Sequence, residues 1–136
     1  MEKVDELILA SDLDALPEIH DFCDKLRNSL GLSEYLHGNI LLVLTEAATN
    51  AIVHGNNSDP EKSVVITTYA DSDSVVFQVS DEGTGFDSSK LPDPLSDENL
   101  LKEGGRGVFL IEQFSDHVAY QNHGSTIIIT FNLTGA

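Results

Sequence analysis

Hydrophobic residues recur three and four positions apart in two stretches near the start of the chain. The first stretch predicts an amphipathic helix over 15–30 that ends at Gly31. The second predicts a helix over 34–54, which Ser33 caps and Gly55 ends. Apolar stripes of this kind need a layer to pack against, so both helices are expected to cover the same core.

Runs rich in β-branched residues predict five strands, over 4–10, 64–69, 75–80, 118–121 and 125–133. Four of them form two hairpins, and a short apolar helix over 107–114 lies between the hairpins. The strands therefore predict a mixed, mostly antiparallel sheet with helices on one face. The fold class is α+β, a two-layer α/β sandwich, in one domain over 1–136.

Composition narrows the possible functions. Seven Lys and Arg against 23 Asp and Glu give a net charge of −16, which argues against binding to nucleic acid or to anionic membranes. No apolar run approaches the roughly 20 residues of a spanning helix, and the N-terminus is unlike a secretory signal. One cysteine, Cys23, excludes an intramolecular disulfide and is expected in the core. The expected compartment is the cytoplasm.

The segment 82–106 differs from the rest of the chain because it holds four glycines and two prolines with little periodicity. It is longer than an ordinary connection, and such loops within a compact domain are usually functional or disordered. The chemistry is therefore sought at this loop and at the elements that flank it.

The first candidate segment lies on the second predicted helix. Glu46, Asn50 and His54 are four residues apart and so share a helix face beside the apolar stripe. A carboxylate can accept a proton, and an amide oxygen is a hard ligand suited to Mg²⁺. An ordinary solvated stripe has the same pattern, and His54 either lines a pocket or helps to end the helix.

Two glycine-containing segments supply the other candidates. Asp81, directly after a strand, precedes Gly83 and Gly85, and a buried carboxylate there would accept a hydrogen bond from the amino group of adenine. Glycines around Arg106 precede a helix, whose free N–H groups and dipole would bind phosphate. Each segment taken alone is also compatible with an ordinary turn.

The three segments in this order resemble the GHKL ATPases, whose Bergerat fold is an α/β sandwich that binds ATP under a flexible lid. Glu46–Asn50 resembles the N box, and the Asp81, Gly83 and Gly85 pattern resembles the first glycine box. Gly105 and Gly107 resemble the second glycine box. The chain length and the runs that follow the N box and the second glycine box are most similar to the bacterial anti-sigma factor serine kinases.

The resemblance implies a role for each matching residue. Glu46 would be the general base and Asn50 would hold Mg²⁺, while Asp81 would receive adenine and Arg106 would lie near the γ-phosphate as a second catalytic group. The lid would be 87–103. Other nucleotide contacts would come from His54, Gly83, Gly85, Gly104, Gly105, Gly107, Val108 and Ser125. Relatives often carry Thr directly after the glycine of the last hairpin, so the role given to Ser125 has Thr126 as its alternative.

The implied activity is ATP-dependent phosphorylation of a serine on an anti-sigma factor antagonist, together with sequestration of a sigma factor. The added phosphate would remove the antagonist by placing charge at its contact surface. The resemblance also suggests a homodimer. The alternative function is a non-catalytic ATP-binding module that shapes a protein-binding surface, and intact Glu46 argues against it. The catalytic module of a sensor histidine kinase is disfavoured because no preceding helix pair carries a phosphoacceptor histidine.

Overall fold

The computed structural model describes residues 1–83 and 110–133. The strands are β1 (Glu2–Ala10), β2 (Ser63–Ala70), β3 (Ser74–Ser80), β4 (His117–Gln121) and β5 (Thr126–Asn132). The longer helices are α1 (Pro17–Leu30) and α2 (Glu34–Asn50). Short helical turns lie at Leu13–Ala15, Ala51–Gly55, Asn122–Gly124 and 110–114.

The five strands form one sheet in the order β1-β2-β3-β5-β4, and every pairing among the described residues is antiparallel. Alternate residues of β2 and β3 are buried, so one face of the sheet lies against the helices. Phe77 and Phe131 meet edge to face on that side, with ring centroids 5.9 Å apart. The predicted two-layer α+β sandwich is confirmed, with the mostly antiparallel sheet entirely antiparallel where it is described.

Local capping explains where the helices begin and end. Gly31 follows α1 in the left-handed conformation, at φ 67°, which a residue without a Cβ adopts without strain. The hydroxyl of Ser33 accepts a hydrogen bond from the Leu36 N–H at 3.1 Å and so satisfies one free donor of α2. The predicted helix boundaries at Gly31 and Ser33 are therefore confirmed.

The last turn of α2 widens into a π-helical turn over Ala51–Gly55. The backbone N–H of Asn56 donates to the Ala51 carbonyl, five residues earlier, at 2.8 Å. The whole segment Glu34–Gly55 spans 22 residues and is apolar enough to cross a membrane by length and composition. The core helix of a soluble protein passes the same test. The buried stripe of α2 packs into the core, as in the central helix of a soluble domain.

The core lies between the two helices and the inner face of the sheet. Its fully buried side chains include Ile19 and Leu26 from α1, Leu44 from α2 and Ile66 from β2. Cys23 belongs to this core, as predicted, and burial together with the neighbouring Asp24 charge raises the pKa of its thiol to about 12. A thiol with so high a pKa stays protonated and unreactive at neutral pH.

A single buried amide joins the end of α2 to three strands. Asn56 is completely buried, and its Nδ2 donates to the Ser11 hydroxyl at 2.7 Å and to the Ser63 carbonyl at 3.0 Å. Its Oδ1 accepts from the Glu82 N–H at 2.7 Å. Since Ser11 follows β1, Ser63 begins β2 and Glu82 follows β3, the side chain fixes these three strand ends relative to the helix.

Gly55 brings the same end of α2 into direct contact with the segment after β3. A Cβ added at Gly55 would overlap the Asp81 carboxylate, and one added at Gly83 would overlap the Gly55 carbonyl. Gly55 does not have the positive φ that favours glycine, so the close approach alone excludes a side chain there. We call the contact of Gly55, Asp81 and Gly83 the glycine junction.

Replacing Asn56 should strongly destabilise the domain. Asn56→Ala leaves the Ser63 carbonyl and the Glu82 N–H without their side-chain partner, and Asn56→Asp replaces a donor with a charge that faces that carbonyl. We expect each change to lower the free energy of unfolding by about 3 kcal/mol in urea titrations. Asn28→Ala, at an exposed position of α1, is the control and should change it by less than about 0.5 kcal/mol. Equal effects at positions 28 and 56 would contradict the role of the buried amide.

Two glycine-to-alanine changes in the same helical segment should have opposite effects on the stability of the domain. Gly38 is exposed inside α2 and an added Cβ there meets nothing within 4 Å, so Gly38→Ala should stabilise the domain by about 0.5–1 kcal/mol. Gly55→Ala forces the Asp81 carboxylate aside and should destabilise it by about 1–3 kcal/mol. Denaturant midpoints of the two variants test this. A stabilising Gly55→Ala would show that the junction does not require glycine.

Candidate nucleotide site

Asp81 lies at the meeting point of three elements. Its backbone N–H donates to the Ser125 carbonyl at 2.8 Å, which extends the pairing of β3 and β5 by one step. Its Oδ1 accepts from the Gly83 N–H at 2.8 Å, and its carboxylate lies against Gly55. The carboxylate is thereby held in one orientation at the end of α2.

The charge on Asp81 is unfavourable in the free protein. Burial raises the pKa of this carboxyl above its ordinary value of 3.8, and the Gly83 N–H and Lys62 offset only part of that effect. A group whose pKa is raised on folding stabilises the fold when it is protonated, and that contribution is lost as the pH rises through the folded pKa. At neutral pH a half-buried carboxylate is therefore retained at a cost in stability, which is typical of functional positions.

Glu46 and Asn50 lie one turn apart on α2 and are both half-buried. Among residues 1–83 and 110–133, neither side chain has a hydrogen-bond partner, so the Glu46 carboxylate and the Asn50 amide remain available to a ligand. At 1.5 Å per residue, Asn50 is about 8 Å and Glu46 about 14 Å along the helix from Gly55. Glu46, Asn50 and Gly55 thus follow one another along the C-terminal half of the helical segment.

His54 occupies the π-helical turn and is exposed. It lies in the last turn of the helical segment, where a basic side chain can contact the last carbonyls. In the described part of the chain its ring has no hydrogen-bond partner, so both of its predicted roles, in the pocket or in ending the helix, remain predictions.

The structure places the two hydroxyl candidates of the last hairpin differently. Thr126 is buried and its Oγ1 is 3.1 Å from the Ser80 hydroxyl, with which it is paired across β3 and β5. Neighbouring residues of a strand point to opposite faces, so Thr126 and Ser80 lie on the face away from Val79 and the helices. Ser125 stays beside Asp81 through its carbonyl, while its hydroxyl donates to the Asn122 carbonyl at 2.8 Å. Of the two, Ser125 is the residue that the structure brings next to Asp81.

The rest of the predicted site lies outside the described residues. This applies to the 87–103 lid and to the remaining glycine-box positions, namely Gly85, Gly104, Gly105, Arg106, Gly107 and Val108. The structure therefore brings together Asp81, Gly83, Ser125 and the end of α2, and these phosphate-binding residues remain predictions from the sequence.

Asn56 and Glu82 support the site but were not among the predicted site residues. The Glu82 N–H is held by Asn56, and its carboxylate accepts from the Ser63 N–H, so the segment that carries Asp81 is attached to β2 as well. The only local signal is an asparagine after a helix-ending glycine, which is also common in ordinary helix ends. The partners of Asn56 at Ser11 and Glu82 are 45 and 26 positions away, so no local pattern reveals them.

Comparison with known proteins identifies the family and the fold. The sequence profile of the histidine kinase-like ATPase domain matches residues 9–131, nearly the whole chain. The matched range covers the positions of the predicted N box and both glycine boxes and most of the final hairpin.

Curated relatives are about one third identical to the chain. An anti-sigma F factor from Geobacillus sp. (strain WCH70) is 34% identical over 100 residues, which cover 70% of this chain and 68% of the relative. An anti-sigma F factor from Geobacillus stearothermophilus is 36% identical over 95 residues, 66% of this chain and 65% of the relative. The serine-protein kinase RsbW of Bacillus subtilis (strain 168) is 35% identical over 104 residues, 71% of this chain and 65% of that protein.

The matched regions span about two thirds of the length of these relatives. The antiparallel sheet with helices on one face is consistent with the fold of this domain. The chain belongs to the histidine kinase-like ATPase family, within its group of GHKL anti-sigma factor kinases.

Proposed function

We propose that this protein binds Mg·ATP at the glycine junction and along α2, and that it transfers the γ-phosphoryl group to a serine of an anti-sigma factor antagonist. The observation that supports the proposal is the packing of the Asp81 carboxylate against Gly55, at the end of the helical segment that also carries Asn50 and Glu46. The names of the relatives, two anti-sigma F factors and a serine-protein kinase, support the choice of activity.

Asp81 would recognise adenine. A carboxylate only accepts hydrogen bonds, so it favours the N6 amino group of adenine over the O6 acceptor of guanine. The contact with Gly55 and the Gly83 N–H fix the carboxylate before the nucleotide arrives, which reduces the entropy lost on binding. The carboxylate gains a donor in the complex, and part of the cost of its burial is then recovered.

Asn50 would hold Mg²⁺ against the phosphates. Its amide oxygen is the kind of neutral, hard ligand that Mg²⁺ accepts alongside phosphate oxygens. The half-buried amide has no partner among the described residues, so the site fits the ion without breaking an existing hydrogen bond. The ion would neutralise charge on the phosphates during transfer.

Glu46 would act as the general base. The serine hydroxyl of the antagonist gives its proton to the Glu46 carboxylate as its oxygen bonds to the γ-phosphorus, and the bond to the β-phosphate oxygen breaks to release ADP. The glycines around Arg106 would surround the phosphates, and the Arg106 guanidinium would stabilise the negative charge of the transition state. His54, Gly85, Val108 and Ser125 complete the proposed nucleotide contacts.

The protein partners would be the antagonist, as the substrate that is phosphorylated, and a sigma factor, which the protein would hold once the phosphorylated antagonist has left. Two negative charges added to the antagonist serine would meet the acidic surface of a chain of net charge −16, so repulsion would release the product. We further propose that the protein works in the cytoplasm and as a homodimer.

Removing Glu46 should separate binding from transfer. Glu46→Ala should leave ATP affinity, measured by calorimetry, within about threefold, and should lower phosphoserine formation on the antagonist by about 10²–10⁴-fold, as expected for a lost general base. Glu34→Ala is the matched control, because Glu34 is an exposed carboxylate on the same helix. Unchanged transfer in Glu46→Ala would refute the assignment. ATP binding without transfer in the unaltered protein would support the non-catalytic module instead.

Asp81→Asn should weaken ATP binding and yet stabilise the free protein. The new amide removes an acceptor for adenine, so we expect an affinity loss of about tenfold or more. It also removes a charge whose burial raises the pKa of Asp81, so the unfolding midpoint should rise at pH 7, and the gain should shrink as the pH falls towards 3.8.

Asp71→Asn is the control, because it should change the unfolding midpoint in the opposite direction from Asp81→Asn. The carboxylate of Asp71 accepts from the Asp73 and Ser74 N–H groups in the β2–β3 turn, and these bonds lower its pKa. Its charge therefore stabilises the fold above its unfolded pKa, and this contribution is lost as the pH falls. Asp71→Asn should lower the midpoint slightly at pH 7 and leave ATP affinity unchanged. Equal ATP affinities in the two variants would contradict adenine recognition by Asp81.

A further inference from the structure

Two histidines from different helices meet one carboxylate on the surface of the α1–α2 pair. The Nδ1 of His20 is 3.4 Å from Asp24 Oδ2, and the Nε2 of His37 is 3.0 Å from Asp24 Oδ1. Asp21 adds a second carboxylate, since one ligand atom each of His20, Asp21 and Asp24 lie within 4.8 Å of one another. These residues have no part in the proposed ATP chemistry.

The distance between His20 and Asp24 matches two ligands of one metal ion. Zinc binds imidazole nitrogen and carboxylate oxygen at about 2.0–2.2 Å, and two such ligands at a tetrahedral angle lie about 3.3–3.5 Å apart. The pair is long for a charge-assisted hydrogen bond, which is about 2.7–2.9 Å. The two residues are four apart on α1, so an undistorted helix holds them at this separation.

His37 lies where it can hydrogen-bond to a metal ligand, Asp24, and orient it. Its side chain is only 12% exposed, against 63% for His20 and 49% for Asp24, and it reaches Asp24 from α2. An ionised carboxylate accepts only, so the ring donates through Nε2 to Oδ1 and leaves Oδ2 towards His20. Such second contacts orient metal ligands and typically alter affinity by about 10–100-fold.

We propose that His20, Asp21 and Asp24, oriented by His37, form a binding site for a divalent transition metal of the zinc class. The imidazole ligand selects against Mg²⁺, which prefers oxygen donors. The site is distinct from the proposed magnesium position, because His37 and Asn50 are 13 residues apart on α2, about 20 Å along the helix. A bound ion would link α1 to α2 through Asp24 and His37 and thereby stiffen the helix layer over the sheet.

Calorimetry with Zn²⁺ tests the site on untagged full-length protein, freed of metal by a chelator and of nucleotide. We expect one Zn²⁺ per chain, with no displacement by millimolar Mg²⁺. His20→Ala and Asp24→Asn should each lower the affinity at least tenfold, and His37→Ala about 10–100-fold. His117→Ala is the matched control, since this exposed histidine lies on β4, and should bind as the unaltered protein does.

A second measurement separates loss of the site from loss of the fold. Because an ion that binds only the native state raises its stability, Zn²⁺ should increase the unfolding temperature of the unaltered protein and of His117→Ala but not of His20→Ala. The His20 side chain is mostly exposed, so its removal should leave the circular dichroism of the domain unchanged. Equal Zn²⁺ affinity in His20→Ala and the unaltered protein, or loss of binding in His117→Ala, would overturn the proposal. Neither result would bear on ATP binding.

Discussion

The position of α2 on the sheet depends on a buried amide that is shared by three strand ends. Asn56 donates to Ser11 and Ser63 and accepts from Glu82, so every polar atom of its side chain is paired inside the core. Leaving one such group unpaired in the interior costs about 1–3 kcal/mol, and the arrangement therefore tolerates little displacement of any partner. The neighbouring contact of Gly55 with Asp81 is possible only because these ends are held in place.

The same constraint explains why the site contains a group that opposes stability. Asp81 is half-buried and its pKa is raised by burial, so its charge is unfavourable in the free protein. The hydrogen bond from the Gly83 N–H offsets part of the cost of burying the Asp81 charge. The hydrogen bond between the Glu82 N–H and Asn56 helps to hold the segment that carries Asp81 in place. Natural domains commonly retain such unfavourable groups where a ligand later satisfies them.

Most of the architecture could be predicted from the sequence, since the period of the hydrophobic pattern is strong in α1, α2 and the two hairpins. The order of the strands was harder to predict than the strands themselves. The β4–β5 hairpin was predicted, but the position of β5 between β3 and β4 depends on packing across the sheet. The π-helical turn at Ala51–Gly55 was not predicted, and it leads directly into Asn56, whose partners Ser11 and Glu82 are distant in sequence. No local sequence pattern relates positions 55 and 81. The approach of Asp81 to the end of α2 was therefore expected only from the family resemblance.

The need to separate negative charges accounts for the different roles proposed for Asp81, Asn50 and Glu46. A chain of net charge −16 that is proposed to bind a triphosphate must keep its carboxylates away from the phosphates or place a cation between them. Two like charges 4 Å apart repel by about 4 kcal/mol at an effective dielectric constant of 20. The helix would meet both demands, since Asp81 would face the uncharged adenine at Gly55 while the phosphates extended towards Glu46, about 14 Å along the axis. In the proposed mechanism Glu46 would have to lie close enough to the serine hydroxyl to accept its proton. A cation held by Asn50, one turn away, would then allow the negative base and the phosphates to share the site.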